Sequence, residues 1–390
     1  MLDVGPPVTA DGVVYVVYAI PDATHNPRQD TYALAALRAQ DGLPLWRIPA
    51  TQSTRLITAA DGVLIVDGLA TSHLVGLRAS DGATLWRASL PIGPQFGGRS
   101  NPSAGGWLVS EASPSGGVLY AMGGSDHAAV FAFQVADGRI LWQTDIQRSA
   151  VRAPPVVDGA NVYVGADDGS VVALRADTGA IRWTAFPGSP ASTVEWHAPL
   201  GSFGGELYVT EYDVGDMKPA VVRLNVADGA NDGVALYLDE GSQALYPTLT
   251  ADIFTTLGYP NSPSGPTLSG WRLSRASDGF PLPLWSVPEG QFGGEIAPSA
   301  HDAQTFYIEF TTPQEGTITA YRLTDGVVLW RRQSLARDTS IVAGSRELFE
   351  TVSGIDDVCR TPLLHRAPQV RALAAASGAV VWTRALDATR

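Results

Sequence analysis

The chain has 390 residues, with 26 Lys and Arg against 39 Asp and Glu, a formal net charge of −13. That balance excludes the clustered basic surface that nucleic-acid binding requires. The single lysine, Lys218, leaves no phosphate loop ending in Gly-Lys and no Schiff-base site outside its own loop, the single cysteine, Cys359, forbids an internal disulfide, and no apolar run approaches a membrane span.

Met1 is followed almost at once by "DVGPPVTADG", which reads as the start of a repeat, so no signal peptide is visible. An export signal, a lipid anchor or a stalk upstream stays open. The apolar run "GVVYVVYAI" at residues 12 to 20 predicts strand. The first repeat, residues 1–50, closes on "DGLPLW", a glycine at 42 and a tryptophan four places later at Trp46. The second, 51–94, closes on Gly82 and Trp86; the third, 95–148, on Gly138 and Trp142; the fourth, 149–190, on Gly179 and Trp183. In the fifth, 191–242, "NDGVALY" keeps the spacing with Gly233 but puts Tyr237 in place of the tryptophan. In the sixth, 243–290, two extra residues separate Gly279 from Trp285. The seventh, 291–336, closes on Gly326 and Trp330, and the eighth, 337–390, on Gly378 and Trp382.

Each turn follows two short alternating runs, such as "NVYVGA" and "VVALRA", while helical periodicity is nearly absent. Alternation over four to eight residues rich in Val, Tyr and Phe, broken by Gly, Asp or Asn, reads as strand. With a proline-marked innermost strand ("NPSAG", "APPVV", "APLGS") opening the unit, one repeat contains four strands. The predicted fold is all-β: one domain, an eight-bladed β-propeller of four antiparallel strands per blade. A glycine supplies positive φ in the tight turn, and a tryptophan at fixed distance beyond it covers the neighbouring blade. Trp46, Trp86, Trp142, Trp183, Tyr237, Trp285, Trp330 and Trp382 are therefore assigned to blade docking rather than to a ligand.

The phrase "VYVGADDGSVVALRADTGAIRW" resembles the repeat of the PQQ-enzyme type of propeller, and eight phased copies extend the resemblance over essentially the whole chain. The resemblance implies either a quinoprotein dehydrogenase, using pyrroloquinoline quinone (PQQ) with calcium, or a non-catalytic envelope propeller of the BamB-like kind. The paired cysteines and long insertions of the dehydrogenases are missing here. The histidines His25, His73, His127, His197, His301 and His365 stand in no metal-ligand spacing, no GxSxG elbow occurs, and "GADDGS" reads as a hairpin turn rather than a calcium loop.

Two features remain as site candidates. "PQFGGRSNP" (94–102), "GSFGGELY" (201–208) and "GQFGGEIAP" (290–298) repeat a Phe-Gly-Gly; the first and third fall between blades, as contact loops or as closure turns with Phe96 or Phe292 wedged between blades. Aligning the innermost strands on their turns places Arg55, Arg99 and Arg152 six residues before it, Arg337 within one place, and His197 and Glu295 nearby. If that register holds, three arginines of adjacent blades converge on one channel mouth and form an anion-attracting rim; the alternative is pairing of each with a carboxylate on the same face.

The expected function is a non-catalytic binding scaffold that engages a protein, peptide or glycan through one face or the channel mouth, with a small anionic ligand at that mouth as a further possibility. No cofactor, metal or nucleic acid is expected, and the resemblance implies the bacterial envelope or a secreted location. The alternative is a PQQ-dependent alcohol or sugar oxidoreductase.

Overall fold

The computed structural model describes residues 6–20, 30–69, 74–88, 108–109, 117–123, 128–147, 155–166, 168–187, 195–213, 219–237, 248–250, 253–258, 267–272, 283–288, 300–311, 316–335, 339–352 and 367–386. Within them the chain forms an eight-bladed β-propeller. Each blade is one four-stranded antiparallel sheet whose strands are consecutive in sequence. The first blade holds β1 (Val8–Ala10), β2 (Val13–Ile20), β3 (Thr31–Arg38) and β4 (Pro44–Ala50); the second holds β5 (Arg55–Ala60), β6 (Val63–Asp67), β7 (Leu74–Arg78) and β8 (Thr84–Ala88). The third comprises β9 (Leu108–Val109), β10 (Val118–Gly123), β11 (Ala129–Gln134) and β12 (Ile140–Asp145), and the fourth β13 (Val156–Asp158), β14 (Asn161–Gly165), β15 (Val171–Arg175) and β16 (Ile181–Ala185). The fifth has β17 (Glu195–Phe203), β18 (Glu206–Asp213), β19 (Pro219–Asn225) and β20 (Asn231–Tyr237); the sixth has β21 (Thr248–Thr250), β22 (Ile253–Gly258), β23 (Thr267–Arg272) and β24 (Pro283–Pro288). The seventh is β25 (Ala300–His301), β26 (Thr305–Thr311), β27 (Gly316–Arg322) and β28 (Val328–Gln333), and the eighth β29 (Ser340–Ala343), β30 (Glu347–Val352), β31 (Gln369–Ala374) and β32 (Val380–Ala385).

Burial follows radial position. First strands of successive blades touch one another, as β1 touches β5, β13 touches β17 and β25 touches β29, so they line the axis. Among the described ones, β1, β5, β13 and β29 are mostly half-buried, while second and third strands such as β2 are apolar on both faces: Val14 to Ala19 of β2 are all buried. Both faces are covered because the cores lie between blades rather than within them. Tyr15, Val17 and Leu34 pack with Leu56, Leu64 and Val75 of the next blade, and Val14 and Val16 pack with Phe349 and Val370 of the last. Such strands read as continuous apolar runs, which is why "GVVYVVYAI" shows little alternation.

One end of the ring is finished by tight turns. Asp61 (φ 51) and Gly62 (φ 74) join β5 to β6 as a two-residue hairpin with positive φ at both positions, the twist-matched form. The Gly-Gly of "GSFGGELY" is the same device: Gly204 and Gly205 have positive φ and Phe203 pairs with Glu206. This copy of Phe-Gly-Gly is a turn, and the copies at 94–102 and 290–298 lie outside the described residues.

The turn between third and fourth strands builds the clasp to the neighbouring blade. In the first blade the Gly42 N–H donates to Arg38 O (2.8 Å), the Leu43 N–H donates to Asp41 Oδ1 (3.0 Å), and Arg38 donates to Asp41 Oδ2 (2.9 Å). Gly42 has φ 67, and a Cβ there would sit 2.6 Å from the Trp382 indole, so its position demands glycine twice over. Indole Nε1–H groups cross the seams: Trp46 to Ala79 O, Trp86 to Val135 O, Trp142 to Ala176 O, Trp183 to Val226 O, Trp285 to Leu323 O, Trp330 to Ala375 O and Trp382 to Ala39 O, all at 2.7 to 3.0 Å. The last of these closes the ring, helped by Arg384 Nε to Gly42 O and Thr9 to Ala343 O; no strand is shared between the first and last blades.

The fifth blade departs from the expected pattern. Its turn glycine is Gly229 (φ 74), whose N–H donates to Asn225 O and against which Trp183 packs; Gly233 is not the turn. Trp46 pairs with Ala36, Trp86 with Gly76 and Trp142 with Ala132, each just before a bulge. At the same register in the fifth blade Gly233 pairs with Arg223. The docking position is therefore held by Gly233, and Tyr237 stands opposite Ala220 at the far end of β20. The spacing from Gly233 to Tyr237 reproduces the motif one turn out of phase.

Candidate functional site

The end of the ring opposite the tight turns carries the connections between second and third strands and between blades. Arg55 opens β5 there. It is exposed, its backbone pairs with that of Asp67, and it makes no hydrogen bond or ion pair among the described residues. The segment leading into it is fixed by hydroxyls. The Thr51 N–H donates to Thr54 Oγ1 (2.9 Å), the Thr51 hydroxyl donates to Gly68 O (2.7 Å), and Thr54 is buried. Gly68 has φ 70, and a Cβ would meet Ser53 O at 2.1 Å, so the strap and the following loop are locked together. A long cation is thus presented from a rigid base.

Most of the other members of the expected rim, Arg99, Arg152, Glu295 and Arg337, lie outside the described residues. The backbone of His197 is described: it pairs with Glu211, whereas the position in register with Arg55 is Ala198, opposite Thr210. In each case the partner residue, Asp67 or Thr210, is the fourth after the first residue of the second strand, so His197 is one step out of phase. Lys218, Cys359, Gly279, His25, His73, His127 and His365 also lie outside the described residues. His301 ends β25 and is exposed. Among the described residues no group of three or more His, Cys, Asp and Glu side chains could hold a metal ion, and no helix is long and apolar enough to cross a membrane.

Two buried polar groups escaped the sequence reading. Where the chain passes from the seventh blade to the eighth, Glu350 accepts the Leu335 N–H and pairs with Arg371, whose Nη2 donates to Gln333 O (2.8 Å). Nearby Thr339 donates to the buried Glu309. Burial pushes the Glu350 carboxyl up from its ordinary value, opposed by the Arg371 guanidinium. This network ties down the strap that delivers β29 to the channel. In the fifth blade Glu206 and Arg223 form a second buried pair, Nε to Oε2 at 3.7 Å. Glutamates at 309 and 350 inside apolar strands were the available signal, and so was an arginine six residues before Gly229, where the first four blades carry Ala36, Gly76, Ala132 and Ala173 six residues before their turn glycines.

Contiguous four-stranded blades clasped by tryptophans, with a described surface that offers loops and a fixed cation, define the class: an eight-bladed propeller of the PQQ-like repeat type. The family model described as outer membrane protein assembly factor BamB matches residues 2–119 and 71–244, more than half of the chain. The chain belongs to that family. The outer membrane protein assembly factor BamB of Yersinia pestis is 35% identical over 109 residues, which cover 28% of this chain and 26% of that protein. The alignment thus spans about a quarter of the curated relative. Among solved structures, BamB from Moraxella catarrhalis superimposes with a TM-score of 0.49 at 14% identity, covering 84% of this chain and 86% of that one. Quinohemoprotein alcohol dehydrogenase from Comamonas testosteroni gives a TM-score of 0.43 at 12% identity, over 98% of this chain and 66% of that one.

Proposed function

We propose that the chain is a non-catalytic binding propeller of the bacterial envelope that engages a protein or peptide through the face opposite its tight turns. The observation that carries this reading is the family match over residues 2–244. A rigid ring of clasped blades suits the task, since binding then costs little ordering of the scaffold. Arg55, held by the Thr51–Thr54–Gly68 strap, would meet an acidic side chain or a C-terminal carboxylate of the partner; Arg99 and Arg152 are its proposed companions on the rim.

The test has two arms. Site-directed photocrosslinking from position 55 in cells of the source bacterium is expected to yield a discrete adduct with an outer-membrane assembly component, lost when the crosslinker is moved to the tight-turn face at position 81. Calorimetric titration of the purified chain with PQQ and calcium is expected to show no heat of binding. Stoichiometric binding of the quinone would overturn the reading.

A further inference from the structure

Seven seams of this ring carry the same clasp, and one does not. Between the fifth and sixth blades the docking position is Gly233, which has no side chain to reach across. Where the clasp is present, the indole fills the turn of the next blade: a Cβ at Gly138 would lie 2.4 Å from the Trp86 indole and one at Gly179 2.5 Å from that of Trp142. The residue opposite the docking position is inverted in size as well. It is Gly76 or Gly270 where the indole of Trp86 or Trp285 lies directly over it, and alanine in the first, third, fourth, seventh and eighth blades, yet Arg223 in the fifth. Small-opposite-indole has become arginine-opposite-glycine.

Arg223 grows from the strand position over which the indole lies in other blades, so its side chain takes that space. It is 3% exposed, its Nη2 donates to Val234 O (3.2 Å), and its Nε faces Glu206 Oε2 at 3.7 Å. The rest of the seam is apolar: Tyr208, Val221 and Leu236 pack against Phe254, with Trp271 of the sixth blade against the same cluster.

The energetics of the exchange run one way. A buried indole contributes a large apolar contact to the seam it crosses, whereas the ion pair of Arg223 with Glu206 and its bond to Val234 lie within the fifth blade. We infer that the seam between the fifth and sixth blades, where the docking position carries no indole, is a built-in opening point of the ring. Opening there separates β19 and β20 from β22 and β23. The rival position is the seam between the eighth and first blades, which lacks a covalent link but keeps the full clasp of Trp382, Arg384 and Thr9.

Hydrogen–deuterium exchange of the intact chain, read by mass spectrometry, distinguishes the two. Third strands are the deepest comparable elements. The amides of β19 and β23 are expected to exchange at least tenfold faster than those of β3, β7, β15, β27 and β31. Equal protection of all third strands, or earliest exchange at β31 and β3, overturns the inference.

Discussion

At the scale of single residues, the most consequential pairing is an indole against a glycine. Trp142 is buried, donates to Ala176 O and packs 2.5 Å from where a Cβ of Gly179 would lie, so neither partner has room to change. Trp142→Ala should lower the unfolding free energy by roughly 3–5 kcal/mol, measured by denaturant titration. Gly179→Ala should destabilise as well, because it combines a φ of 70 with a steric clash. The same turn supplies an electrostatic prediction. The hydrogen bonds from Arg175, with its charge, hold the Asp177 carboxyl down to about 2. Its contribution to stability is present above the ordinary carboxylate value and is lost as the pH falls toward 2. Carbon-detected NMR should find that low midpoint, and Arg175→Ala should raise it toward normal. Exposed on both sides, the pair adds little to stability.

At the scale of elements, the strap between the seventh and eighth blades shows what buried charge is for. Glu350 is fully buried and its carboxyl is raised, so any stability tied to its titration is greatest below the ordinary carboxylate value and falls as pH rises through the higher folded one. Glu350→Ala strands the Arg371 charge and should cost about 3–5 kcal/mol, while Glu350→Leu with Arg371→Met should cost clearly less. A double-mutant cycle in urea measures both. The reason these groups were illegible beforehand is physical. Strand alternation and turn spacing are local, and they exposed the four-strand unit and the clasp at Trp46, Trp86 and Trp142. Partners such as Glu350 and Arg371 lie in different strands and are joined only by register. The fifth blade failed for a related reason: "DGAN" and "NDGV" both offer an Asp-Gly turn, and only the pairing of Arg223 with Gly233 tells which one bends the chain. The strap around Arg55 escaped too, since nothing local in "TQST" announces a bond to Gly68.

At the scale of the whole molecule, the seams are not equivalent even where their chemistry is. A seam between consecutive blades stays tethered when its clasp is cut, whereas among the described residues the one between the eighth and first blades is held by side-chain contacts such as those of Trp382, Arg384 and Thr9. Trp382→Ala and Trp142→Ala remove the same group, yet only the former should release a terminal blade. Limited proteolysis is expected to cut W382A first in β29 to β32 or β1 to β4, and W142A without that preference. Charge distribution also belongs to this scale: in a chain at −13, Arg55 exposed on the loop face is a local positive point against a negative background.

The agreement of sheet and segment has a consequence of another kind. Because every sheet is made from one uninterrupted stretch, the chain can be divided between blades without leaving any ladder half-paired. Duplication or loss of one such stretch adds or removes a whole spoke, and the remaining clasps need only adjust their angle. A gene for a molecule of this kind can change its symmetry in a single recombination step.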